Sequence, residues 1–244
     1  MKAALIGYGK MGHAIERFLL QRGHEVTCRI DAGNAGDFDS EAFRNSDVAI
    51  EFTCPGAAVD NYRLALERGV PVVSGTTGWT SRRGEVESLL SENDGTLLWS
   101  SNFSIGVNLL MRVNAYLAKL MEDFPQYVPS MKEIHHIHKL DHPSGTAITL
   151  AEGIIGANRR ILGWEEPVEG TATAPGMLPI AHEREGEVPG THIIKWESGV
   201  DAVTIEHRAF SRDGFALGAV MAAEWVAAHP DARGLLGMEC LMPE

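Results

Sequence analysis

The chain has 244 residues, 44% hydrophobic and 22% charged, enough to bury one large core or two smaller ones. Its formal net charge of -12 excludes a general nucleic-acid binder, because neutralising a phosphate backbone takes a basic face. No apolar run approaches a bilayer span and Met1 leads into KAALIG without a signal-peptide pattern, so a cytoplasmic protein without membrane contact is expected.

In chain order, Ala3 to Ile6 is an apolar strand ending in glycines. From Lys10 to Gln21 the residues Met11, Ile15, Phe18 and Leu19 share one helical face, and Gly23 is placed to end the helix. Val26 to Ile30 reads as a second strand and Val48 to Phe52 as a third. Pro55 opens a helix that runs through Leu64 and Leu66 and stops at Gly69. A strand at Val70 to Ser74, a polar helix from about Ser81 to Leu90 and a strand at Leu97 to Ser100 follow. Such alternation is the signature of a parallel sheet with crossover helices. After Phe103 the pattern changes. A long helix from about Ile105 to Glu122 precedes strands at Met131 to His138, Leu178 to Arg184, Thr191 to Glu197 and Ala202 to Ala209, with one clear helix among them. Residues 163–176 are a polar connection and a poor strand candidate. Phe215 to Ala228 is a last apolar helix able to return to the first domain. The expected class is α/β: a Rossmann-type parallel-sheet domain, residues 1–103 with 214–244 returning, plus a second α+β domain, 104–213, with a mixed, largely antiparallel sheet.

Cys28, Cys54 and Cys240 are odd in number and widely spaced, which suits free thiols rather than a disulfide framework or a zinc site. Between the first strand and the first helix, Gly7, Gly9 and Gly12 stand in G-x-G-x-x-G spacing around Tyr8, Lys10 and Met11. The first glycine permits the tight turn, the second lets a pyrophosphate approach the backbone, and the third lets helix and strand pack closely. Asp31, 19 positions beyond Gly12, ends the second strand, where a carboxylate accepts from ribose hydroxyls. Its charge would repel a 2'-phosphate, which leans the choice between NADH and NADPH towards NADH, although Arg29 and Lys10 are close in sequence. Gly75, Thr76 and Thr77 follow a strand of the same sheet, as do Ser100, Ser101, Asn102 and Phe103, and loops at strand carboxyl ends line the ligand crevice in such folds.

Residues 133–147 read EIHHIHKLDHPSGTA. With the strand running to His138, alternate residues share a face, so His135 and Lys139 point one way and His136 and His138 the other. Two strand-spaced histidines are short of a zinc ligand set, so no metal is assigned. Pro143, Ser144, Gly145 and Thr146 precede helical AITLAEGI, giving a capped helix start with an open glycine beside Lys139 and the histidines. Together they describe a small cationic pocket for an organic acid, with a lysine and a histidine able to donate a proton to charge created by hydride transfer.

In their order, GYGKMG, EFTCPGA, VVSGTTGW, SNFSIGVNLL, HHIHKLDHPSGTA, EREGEVPGTH and FALGAVMAAEW resemble the dihydrodipicolinate reductases of the diaminopimelate route to lysine. The resemblance implies a homotetrameric reductase of 4-hydroxy-tetrahydrodipicolinate with a nicotinamide nucleotide in the first domain. The second domain would bind the cyclic dicarboxylate and build the tetramer. His135 and Lys139 would be catalytic; His136, Ser144, Gly145 and Thr146 would bind substrate. The nucleotide would touch residues 7–12, Asp31, 75–77 and 100–103, and Arg212 and Phe215 would approach it. Three departures stand out: His182 replaces a small hydroxyl residue, the glycine loop is one residue shorter than in many relatives, and the chain is short. Rival readings are an amino-acid dehydrogenase of aspartate type and a dinucleotide sensor without chemistry.

Overall fold

The β-α alternation of the first hundred residues closes into one parallel sheet. The structure, a computed structural model, describes residues 1–242. Strands β1 (Lys2–Ile6), β2 (Glu25–Ile30), β3 (Val48–Glu51), β4 (Val72–Ser74) and β5 (Thr96–Trp99) are separated by helices α1 (Lys10–Gln21), α2 (Glu41–Arg44), α3 (Pro55–Leu66) and α4 (Arg83–Glu92). Then come α5 (Ile105–Met121), β6 (Val128–His135), α6 (Gly145–Ala157), β7 (Gly163–Glu165), β8 (Met177–Arg184), β9 (Thr191–Glu197) and β10 (Ala202–Arg208). Helix α7 (Asp213–Ala228) and strand β11 (Gly234–Leu236) complete the order. Two units result: Met1–Ile105 with the chain from Asp213 onward, and Gly106–Arg212. No helix among the described residues is long and apolar enough to cross a membrane.

In the first unit the six strands lie in the order β11-β5-β4-β3-β1-β2, all parallel. Ala3, Ala4, Leu5 and Ile6 are all buried, as a parallel strand covered on both faces requires. One face packs Tyr62, Trp79 and Phe43 from the α2–α4 side; the other packs Ile15, Leu19 and the alanines of α7. Helix α7 approaches closely enough that a Cβ on Gly218 would stand 1.7 Å from the Phe103 carbonyl oxygen. That contact tolerates no side chain. Gly218→Ala is therefore expected to cost about 1–3 kcal/mol through overpacking, read as a melting temperature lower by several degrees. An unchanged melting temperature would mean that α7 moves aside freely.

The second unit is a five-stranded mixed sheet, β10-β9-β6-β8-β7, in which β9 runs antiparallel to β10 and β6, while β6, β8 and β7 are parallel. Leu150, Ile154, Trp196 and Leu178 are in its core with the buried side of α5. Two sequence expectations are corrected and one strand is added. Strand β6 stops at His135 rather than His138: Lys139 N–H donates to the His136 carbonyl at 3.1 Å and Ile137 N–H to the Gly186 carbonyl at 3.1 Å, which makes residues 136–139 a turn. The alternation of faces expected there does not exist. Residues 163–165, expected to be a poor strand, form the edge strand β7 beside Met177 to Pro179. Strand β11, with no counterpart in the sequence reading, adds the sixth strand to the first sheet against β5.

Candidate active site

In the first unit the glycine loop divides by function. A Cβ on Gly7 (φ +91) would meet the Phe52 carbonyl oxygen at 2.1 Å, and one on Gly12 would meet the Gly7 carbonyl oxygen at 2.4 Å. These two are required by the protein's own packing. Around Gly9 no atom lies within 4 Å of that position, so its space is open to a ligand such as a pyrophosphate. Gly9 also begins α1 without a side-chain cap, so the amides of the first turn depend on what approaches from outside. Asp31 follows β2; its Oδ1 accepts from Ala32 N–H at 2.8 Å and its Oδ2 from Tyr8 N–H at 3.4 Å, which ties it to the glycine loop. Arg29, the cation nearest in sequence, is turned back onto Glu16 (Nε to Oε2 3.2 Å) and lies over the Tyr8 ring. Hydrogen bonding to Arg29 holds the Glu16 carboxyl below its ordinary range. Lys10 is exposed, as is Met11 in part.

The two later loops differ in what they offer. Gly75 is passed so closely by the Phe52 ring that a Cβ would stand 2.1 Å from Cε1. Thr76 is buried, with its carbonyl accepting from Trp99 Nε1 at 2.8 Å, whereas Thr77 is exposed and its N–H has no partner among the described residues. Ser100 and Asn102 bond to one another and Asn102 Oδ1 accepts from Ser104 N–H at 2.9 Å, in a turn with Ser101 at its surface. The Phe103 ring is buried, 5.7 Å from the Phe52 ring, and so belongs to the core. Phe215 is half-buried at the start of α7.

The second unit gathers the other sequence-predicted residues around the end of β6 and the start of α6. His135 is buried at the strand end; Gly190 (φ +154) faces it so closely that a Cβ there would lie 3.1 Å from Nε2. Lys139 is half-buried, with Nζ bonded to both Asp141 oxygens at 2.9 and 2.8 Å. Hydrogen bonding from Lys139 holds the Asp141 carboxyl below its ordinary range. His136 lies with Nε2 3.4 Å from Arg212 Nη2, so Arg212 belongs with this cluster. His138 is exposed, near Glu187. Ser144 caps α6: its Oγ accepts from Ala147 N–H at 3.2 Å, and the residue is buried. Gly145 is exposed and its N–H has no partner among the described residues; Thr146 is partly exposed beside it.

Sequence reasoning missed the groups that hold this arrangement. Glu133, without solvent exposure, accepts from Ser144 N–H at 3.0 Å and from Arg184 Nη2 at 3.2 Å, and its Oε2 lies 3.4 Å from His135 Nδ1. Burial opposes its charge, but the Ser144 donations, His135 and Arg184 outweigh it and hold the carboxyl below its ordinary range. Arg184 also donates to the carbonyls of Lys139 (3.2 Å) and Asp141 (2.8 Å), pinning the turn that carries the lysine. His192 Nε2 sits 3.2 Å from Ser144 Oγ, and burial, then His135, pushes its pKa down to about 4. Burial likewise pushes His135 below its ordinary value, partly offset by Glu133. The signal for Glu133 was present: in VPSMKEIH the alternate residues Pro129, Met131, Glu133 and His135 take the buried face, so a charge at a core position demanded a partner.

A second cluster joins His142 and His182 to one oxygen of Glu166, at 2.8 and 3.0 Å. The two rings stack at 4.2 Å with 19° between their planes.

Three comparisons bear on this arrangement. Residues 1–103 match the family model described as dihydrodipicolinate reductase, N-terminus, and residues 106–242 match that described as dihydrodipicolinate reductase, C-terminus. The chain is 40% identical over 244 residues to a 4-hydroxy-tetrahydrodipicolinate reductase of Christiangramia forsetii, covering 100% of this chain and 98% of the relative. To the protein of the same name from Archaeoglobus fulgidus it is 33% identical over 247 residues, covering 93% and 94% of the two. Among solved structures, a dipicolinate-bound dihydrodipicolinate reductase from a Paenisporosarcina species superposes with a TM-score of 0.80 at 24% identity, covering 100% of this chain and 99% of that one.

Proposed function

This chain belongs to the dihydrodipicolinate reductase family, nicotinamide-dependent oxidoreductases of the diaminopimelate route to lysine, and we propose how its residues reduce 4-hydroxy-tetrahydrodipicolinate. The observation that carries the reading is the pair of Asp141 oxygens on Lys139 Nζ: a carboxylate already rests on a half-buried lysine, near a helix start with an open amide. A substrate carboxylate takes the place of Asp141. The Gly145 N–H and Thr146 hold the carboxylate at the positive end of α6, with His136 and Arg212 at its rim. When bound in the first unit, a nicotinamide nucleotide supplies a hydride for the ring C=C–C=N system. Lys139 then donates the balancing proton from Nζ, and His135, anchored by Glu133, acts as the second proton-carrying group.

The residues of the first unit suit that nucleotide: open backbone at Gly9, uncapped amides at the start of α1, the Asp31 carboxylate for ribose hydroxyls and the free amide of Thr77. The commitment of Arg29 to Glu16 supports NADH over NADPH, because the cation nearest to Asp31 in sequence is turned away from a 2'-phosphate there, while Lys10 stays exposed. Assembly into a homotetramer is supported by the exposed apolar stripe Leu109, Val113, Tyr116 and Leu120, four residues on one side of α5. Free Cys28, Cys54 and Cys240 fit a reducing cytoplasm.

The test is loss of absorbance at the nicotinamide band with each cofactor and freshly generated substrate. Wild type should oxidise NADH faster than NADPH, and Asp31→Ser should shift the ratio of kcat/KM values towards NADPH by roughly tenfold or more, the worth of bonds to a charged group. Dinucleotide binding without turnover would sink the reductase reading in favour of the sensor, and oxidation of an amino acid instead would favour the aspartate-type dehydrogenase.

A further inference from the structure

Glu51 ends β3, and its side chain is fully buried. Among the described residues no cation pairs with it; every partner is neutral. Oε2 accepts from Ser74 Oγ at 2.6 Å, and Oε1 accepts from Thr76 Oγ1 at 3.0 Å, from Asn61 Nδ2 at 3.4 Å and from the Thr53 hydroxyl. A carboxylate only accepts, so Ser74 and Thr76 each spend their one hydroxyl hydrogen on it. Their oxygens are then left to accept: Ser74 Oγ from Thr76 N–H at 3.2 Å and from Tyr62 Oη at 2.6 Å, and Thr76 Oγ1 from Thr53 N–H at 2.8 Å. The Glu51 carbonyl takes Gly75 N–H at 3.1 Å. The hydroxyls of Thr53, Ser74 and Thr76 and the Gly75 N–H are directed to Glu51 itself, and the amides of Thr53 and Thr76 to oxygens that Glu51 orients; the exposed amide of Thr77 comes next in the chain.

Stability alone does not explain a buried charge in this place. Removing a carboxylate from water without a cation beside it is costly, and apolar replacements of buried charges are often neutral or stabilising. What the carboxylate does supply is a single orientation for four flexible donors, something no apolar side chain provides.

We infer that Glu51 is a positioning residue for the nicotinamide nucleotide: through Ser74, Thr76 and Thr53 it holds the Gly75–Thr77 loop in the one conformation that presents Thr77 to the ligand. This rests on the reading that the 75–77 loop contacts the nucleotide. In Glu51→Gln the side-chain amide brings two hydrogens into a ring of donors, so hydroxyls must turn away and the loop loses its single setting.

Dissociation constants for NADH and for dipicolinate are measured by titration of full-length wild type, Glu51→Gln and Glu51→Asp, with steady-state KM and kcat alongside. Expected for Glu51→Gln are an NADH Kd and KM raised about tenfold, kcat changed less than about threefold, and an unchanged dipicolinate Kd, the scale set by bonds to a charged group. Glu51→Asp, which keeps the charge, should recover part of the NADH affinity. An unchanged NADH Kd in Glu51→Gln, even with a lowered melting temperature, would overturn the inference and leave a structural role only. If Glu51→Gln does not fold, Ser74→Ala takes its place, with the same direction expected and the same overturning result. Wild type that binds no nicotinamide nucleotide would overturn the cofactor reading as well, which separates the two failures.

Discussion

Lys139→Ala should lower kcat by about 10²- to 10⁴-fold, the range for loss of a positioned general acid. The reasoning starts from the bidentate contact with Asp141: a lysine that already binds one carboxylate loses substrate orientation and the proton together when truncated. NADH affinity should stay unchanged, because the residues proposed to hold the nucleotide lie in the other unit. Stability should change little, since an exposed carboxylate such as Asp141 gains only a fraction of the nominal worth of an ion pair. Single-turnover oxidation of NADH separates the outcomes. If the variant retains more than about a tenth of wild-type kcat, Lys139 is not the proton donor, and the assignment passes to His135.

Glu133→Gln is expected to act on both sides of the same chemistry. The carboxylate holds Ser144 N–H, Arg184 and, at 3.4 Å, the His135 ring, so its neutral replacement loosens the helix start and the Lys139 turn together. A fall in kcat of about 10- to 100-fold is expected, the worth of hydrogen bonds to a charged group, with a higher substrate KM. Its pH behaviour gives a sharper test. Burial depresses the His135 pKa and Glu133 partly restores it, so in Glu133→Gln the acid limb assigned to His135 should move to lower pH. For stability, a depressed histidine means that the unfolded chain binds a proton which the folded one refuses. That contribution is fully present above the ordinary value of 6.5 and is lost as pH falls below it. The depressed Glu133 contributes stability above its ordinary value of 4.5, lost as pH falls through the lower folded value. Glu133→Gln removes the second loss, so its unfolding free energy should fall less steeply below pH 4.5 than that of wild type. Parallel slopes would show that Glu133 is not the group being protonated.

The parts of the fold legible in the sequence were those decided by neighbours in the chain. Helix α1 runs from Lys10 to Gln21 as its apolar spacing and glycine ends predict, and β1 and β3 follow from apolar runs buried on both faces. The mixed second sheet was legible because its strands follow one another with one clear helix among them. What was lost depended on distant residues. The end of β6 at His135 is set by the Gly186 carbonyl and Arg184, which no local period reveals, so alternation was carried three residues too far. Strands β7 and β11 have three residues each, too few to show a period of two. In the candidate site, His135, His136, Lys139, Ser144, Gly145 and Thr146 are one stretch of chain and were visible together. Glu133 was passed over because its partners Arg184 and His192 lie about fifty residues away.

The late arrival of β11 has a consequence for synthesis. Strand β5 offers its outer edge to Gly234–Leu236, and Thr96 Oγ1 reaches the Ala232 carbonyl, 136 residues further along. Emerging from the ribosome, the first unit waits with that edge bare, while the second, a continuous segment, closes first. An unpaired strand edge is a template for another chain, so nascent chains that stall before α7 and β11 are expected to aggregate more readily than the full-length chain.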